Sequence, residues 1–136
     1  MIFRRRRLPD RLLEPFRAFE AIVPRLERAK AALTESVPGT RLPGRPLAET
    51  LLEFEEGLRA VHEGMAAWRV PELEAEWDAA QRGLRESARL AERLRVEAPD
   101  PGGFEGLIGV IGDLIAPLEA FGTAAERFRD LRLRPS

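Results

Sequence analysis

This amino-acid sequence predicts an all-α protein: a four-helix, mainly antiparallel bundle around a coiled-coil-like helical hairpin over residues 47–94. Three observations carry the prediction. Apolar residues recur at helical spacing in four stretches, and proline and glycine separate those stretches. No stretch shows the period-two alternation with β-branched enrichment that a strand requires. At 136 residues the whole chain, 1–136, fits one domain that can bury a core without cross-links.

The first helix is expected to begin between Asp10, an N-cap residue type, and Pro15. It carries Phe16, Phe19, Val23, Leu26, Ala29 and Leu33 at helical spacing. Pro38-Gly39 is read as its stop. Pro24 lies inside the run, where it lacks an amide hydrogen and crowds the carbonyl of Glu20, so a kink is expected there. Residues 1–9 read as a flexible arginine-rich tail and residues 132–136 as a frayed end. Two Pro-Gly pairs between Val37 and Pro46 predict a stiff, exposed loop.

The second helix has the clearest pattern. Leu47, Leu51, Phe54, Leu58, Val61, Met65 and Trp68 alternate steps of four and three, which is a heptad seam. The third repeats the rhythm with Leu73, Trp77, Ala80, Leu84, Ser87, Ala91 and Leu94, and Leu90 widens the face. Between the two sits Val70-Pro71, and phase decides whether the chain runs on or turns. Five residues from Trp68 to Leu73 rotate a helix by about 500°, placing the second stripe roughly 140° from the first. A continuous helix would split its apolar face, whereas a turn over residues 69–72 lets the stripes meet, with Pro71 in the first turn of the third helix. Antiparallel layering then pairs Trp68 with Trp77 and sets large residues against small ones, as with Met65 and Ala80 or Phe54 and Ala91.

The fourth helix, from Phe104 to Leu131, has the widest apolar face and is expected to be the most buried, with Pro117 kinking or dividing it. Its most apolar part, Phe104 to Leu118, is interrupted by Glu105 and Asp113. That part is shorter than the roughly 20 residues a membrane span needs, so a soluble protein is expected.

Composition narrows the chemistry. There is no cysteine, so disulfides and thiolate sites are excluded, and this fits a reducing cytoplasm. The N-terminus lacks the unbroken apolar core of an export signal. Net charge is −1, so attraction of nucleic acid or anionic lipid would need a local patch. Lys30 is the only lysine, Gln81 the only glutamine, and asparagine is absent, a pattern that suits a GC-rich bacterial, even thermophilic, genome.

No enzyme, metal or cofactor motif survives inspection. His62-Glu63 begins like the zinc motif HExxH, but Ala66 stands where the second ligand belongs. Glu49, Glu53, Glu56 and Glu63 fall opposite the seam as solvated charge, while Glu55 with Arg59 and Asp78 with Arg82 have i, i+4 ion-pair spacing. Ser36, Ser87 and Ser136 have no catalytic surroundings.

Three sets of residues remain as candidates. Gly106, Gly109 and Gly112 recur every third residue and offer a flat self-association face, with close packing as the plainer explanation. Met65, Trp68 and Trp77 should cluster at the hairpin turn, where core packing is favoured over an apolar ligand. The arginines near the termini, Arg4, Arg5, Arg6, Arg7, Arg129, Arg132 and Arg134, could bind nucleic acid or an anionic membrane. Arg41 and Arg45 would extend that patch if the fold brings them near. The function expected first is non-enzymatic, through protein contacts and a homodimer. Anion binding by the arginine-rich ends comes second, and a ligand or enzyme site inside the bundle third.

Overall fold

The computed structural model describes residues 7–39 and 43–132. It contains helices α1 (Asp10–Thr34), α2 (Leu47–Glu63), α3 (Glu74–Glu97), α4 (Gly103–Ile115) and α5 (Ala120–Asp130), with no β-strand among the described residues. α4 and α5 are two arms of the expected fourth helix. They are joined by a 3-10 turn over Ala116–Glu119 that contains Pro117, whose missing N–H breaks the α-helical ladder.

Contacts between elements give each helix its direction. Ala29 lies against Gly57 and Ile22 against Gly64, so α1 and α2 run antiparallel. Trp68 meets Trp77 at 6.5 Å, and Glu55 pairs with Arg95, which sets α2 antiparallel to α3. Ser87 donates to the Leu114 carbonyl at 2.6 Å, and Arg127 lies near Glu76 at 3.8 Å, so α4 and α5 return along α3. Phe16 and Phe19 against Phe128 bring α5 beside α1. The all-α, antiparallel four-helix bundle is therefore the observed architecture.

The hairpin turns where the sequence predicts. α2 itself stops at Glu63, earlier than its seam. Gly64 leaves the helix and a 3-10 turn over Ala66–Trp68 keeps Met65 and Trp68 on the core side. Val70 is extended, as a residue before proline should be, and Pro71 opens the 3-10 turn that leads into α3. Leu51, Phe54, Leu58, Val61, Leu73, Trp77, Ala80, Leu84, Ser87 and Ala91 are buried, and Leu47 and Leu94 are half-buried. Each fully buried leucine, valine or phenylalanine among them contributes about 1.5–3 kcal/mol.

Several boundaries differ from expectation. The N-cap of α1 is Pro9, and Asp10 is the first helical residue, where its charge still favours the N-terminal dipole. The tail is shorter than residues 1–9, because Leu8 is buried in the core. α1 runs through Pro15 and Pro24 but ends at Thr34, short of Pro38-Gly39. There the Thr34 and Ser36 hydroxyls bond the carbonyls of Ala31 and Leu33. Ile22 is buried while Phe16 and Val23 are only half-buried, so the buried stripe of α1 is rotated from the predicted one.

The largest correction concerns the fourth helix. It is not the most buried: α4 buries only Ile111 and Leu114, and Phe104 is 59 % exposed. α5 is well covered, through Phe121, Ala124 and Phe128.

Candidate functional site

The antiparallel order gives the bundle two unlike ends. The hairpin turn, the start of α1 and the end of α5 meet at one end, and the starts of α2 and α4 and the end of α3 meet at the other. Among the described residues the large exposed apolar side chains, Leu52, Val96, Phe104 and Ile108, all belong to this second, open end.

The outer face of α4 is its main feature. Phe104 and Ile108 lie one turn apart, and Gly109 and Gly112 are exposed beside them, with open space where each would carry a Cβ. Gly106 behaves differently: a side chain there would strike the Pro101 carbonyl, so this glycine allows the loop to cross the helix. The three predicted glycines thus divide into one packing glycine and two on an open face. Glu105 and Asp113 lie one turn to either side of Gly109 on the same face, and both are exposed. The helical stretch Gly103–Asp130 is also long and apolar enough to cross a membrane by length and composition, with 28 % of its most apolar window buried. This corrects the length argument from sequence, because the helix resumes after Pro117.

Among the described residues the predicted arginines divide between the two ends: Arg7, Arg129 and Arg132 belong to the hairpin end, and Arg45 does not join them. Arg4, Arg5, Arg6, Arg41 and Arg134 lie outside the described residues. Arg45 is at the open end, and its guanidinium is engaged by Glu53 at 2.5 Å, by Glu35 and by Glu49 at 3.8 Å. The hydrogen bonds to Glu53 and then Glu35 hold Arg45 firmly protonated, and Arg45 holds the Glu53 carboxyl below its ordinary range. Arg129 and Arg132 are at the opposite end, with Arg132 5.6 Å above the Phe16 ring and both residues edging a groove with Phe19, Val23 and Pro24. Arg7 is exposed and makes no ion pair among the described residues.

A different basic surface is present, and the sequence reading missed it. Arg82, Arg85, Arg89 and Arg93 line the outer side of α3 around Leu90. Arg85 and Arg89 also edge the α2–α3 groove with Arg59 and His62, over a floor of Leu58, Leu84 and Ala88. Neither predicted helix-local ion pair forms. Glu55 crosses to Arg95 at 3.2 Å, leaving Arg59 without it, and Asp78 and Arg82 do not pair. The spacing 82, 85, 89, 93 was the available signal.

The predicted aromatic cluster does form. Trp77 donates its indole N–H to the Met65 carbonyl at 2.8 Å, and Trp68 is fully buried among Phe19, Trp77, Phe121 and Phe128 at 4.9–6.5 Å between ring centroids. These rings fill the space that an apolar ligand would need. Among the described residues two buried polar atoms, Trp68 Nε1 and Gln81 Oε1, lack partners. His62 is exposed at the groove edge, and among the described residues no three acidic or histidine side chains gather as a metal site.

Compared with protein-family models, with curated proteins and with solved structures, the chain finds no match, so any functional reading rests on its own surfaces.

Proposed function

We propose that this chain is a non-enzymatic interaction protein that pairs with a second copy of itself through the outer face of α4. The observation that carries the reading is the exposure of Phe104 and Ile108 beside two glycines that occupy no space. A facing helix could approach the backbone at Gly109 and Gly112 while burying both side chains. Single apolar residues on a surface are ordinary, but an apolar residue on successive turns next to an open glycine track is a contiguous patch.

Magnitudes set the expected strength. Two phenylalanines and two isoleucines, each about half covered already, supply roughly 3–6 kcal/mol on pairing. Association costs roughly 4–15 kcal/mol. The contact is therefore expected to depend on concentration. Glu105 and Asp113 oppose self-pairing, but exposed charges interact by only about 0.2–1 kcal/mol and are screened by salt, so pairing should hold or strengthen as salt rises. The same two carboxylates disfavour a bilayer as the partner, since each would cost about 2.5–3.5 kcal/mol at its centre. The lack of cysteine suits a reducing compartment, and we read the chain as cytoplasmic.

Light scattering across a dilution series tests the pairing. The expected result is a mass that rises toward a dimer with concentration and that Gly109→Leu returns to monomer. Monomer mass at every concentration, or a dimer indifferent to Gly109→Leu, would overturn the proposal.

A further inference from the structure

We infer that the outer side of α3, extended by the α2–α3 groove, is a binding surface for the phosphate backbone of duplex nucleic acid, separate from the α4 face. Five arginines, Arg59, Arg82, Arg85, Arg89 and Arg93, are gathered there, and His62 stands at the edge. Among the described residues none of the five makes an ion pair, whereas Arg11, Arg45, Arg69, Arg95 and Arg127 each do. In a chain of net charge −1, this is a local excess of unneutralised guanidinium groups. Glu86 and Glu92 lie within the same surface and reduce that excess without cancelling it.

The shape of the array selects the ligand. From Arg82 to Arg93 the helix rises about 16 Å. Cations spread over that length suit a row of phosphates better than one small anion, which needs donors converging on a point. Arginine is the residue type that holds phosphate in a fork of donors. No phenylalanine, tyrosine or tryptophan lines the surface, and His62 at its edge is the one ring there, so bases have little to stack on and single strands are disfavoured. Leu90 is half-covered, and the one large exposed apolar residue of α3, Val96, lies beyond the last arginine, so little is available to enter a bilayer. A duplex read through its backbone alone, without sequence preference, is what remains.

The test is fluorescence anisotropy of a labelled 20-base-pair DNA duplex of random sequence with the full chain. Non-specific binding near 10⁻⁴–10⁻⁶ M is expected at physiological salt and tighter binding at low salt, and four phosphate contacts predict a loss of about 100-fold between 50 and 200 mM salt. Arg85→Glu with Arg89→Glu should weaken binding at least tenfold. Arg17→Glu with Arg28→Glu changes net charge equally from the exposed side of α1 and should have a much smaller effect. Circular dichroism confirms that both variants fold, and Arg82→Gln with Arg93→Gln provides a milder pair with the same expected direction. No binding at low salt, equal losses in the α3 and α1 variants, or binding to vesicles of anionic phospholipid without binding to duplex would each overturn the inference. Because self-pairing should survive salt and duplex binding should not, failure of one proposal leaves the other measurable.

Discussion

The hairpin end and the open end of this bundle are built from similar apolar patterns, yet only one of them is closed. At the hairpin end Trp68 is surrounded by Phe19, Trp77, Phe121 and Phe128, and two helices besides the hairpin contribute rings to the cluster. At the open end α4 presents Phe104 and Ile108 outward, and few residues of other helices approach it. Aromatic rings reach across a bundle and fill it, whereas Gly109 and Gly112 carry no side chain with which to reach a neighbour. A wide apolar face therefore reports how much surface a helix could bury, and the number of facing elements decides how much it does bury.

The contrast predicts mutational costs of very different size. Trp68→Ala should lose about 3–5 kcal/mol in a denaturant titration, the range for emptying a large aromatic site. A loss below about 1 kcal/mol would mean that the hairpin end is not the closed core described. Glycines give a sharper comparison because the substitution is identical at both sites. Gly83 packs against the Pro117 carbonyl, where α3 comes closest to the joint of α4 and α5, and an added Cβ has no room. Gly83→Ala should cost about 1–3 kcal/mol through overpacking, despite a better helix propensity. Gly109→Ala meets open space and should gain up to about 1 kcal/mol from propensity alone. The same sign at both positions in thermal unfolding would contradict the distinction between the two regions.

Much of the bundle was legible in the sequence because its evidence is local. The heptad of α2 and α3 and the phase break at Val70-Pro71 sufficed to place the hairpin and its buried residues. The direction of the α1 stripe was less legible: Ile22 and Val23 are adjacent and both apolar, and which of them faces inward depends on the packing of α1 against Gly64. Pro38-Gly39 was over-read as a stop, because α1 already ends at Thr34, where the hydroxyl groups of Thr34 and Ser36 bond the carbonyls of Ala31 and Leu33. The candidate surfaces were harder still. Arg45 looked available until the fold placed Glu35 and Glu53 around it, and Arg82 had the spacing to pair with Asp78 but does not pair with it. Ion pairing is a tertiary property, and composition along one helix does not determine it.

Phe104 sets the smallest expected change in stability against the most informative change in mass. At 59 % exposure the ring has little to lose within its own subunit, so Phe104→Ser should shift the unfolding free energy by no more than about 0.5 kcal/mol, as ordinary surface substitutions do. The same change removes the largest anchor from the face of α4 and should lower the self-association mass measured at high concentration. The two readings together separate causes that either alone would confuse. A stable variant that no longer pairs places the phenylalanine's role between subunits. A variant that loses more than about 1 kcal/mol shows that the ring packs on its own bundle, and the open end is then more closed than the exposure of Phe104 and Ile108 indicates.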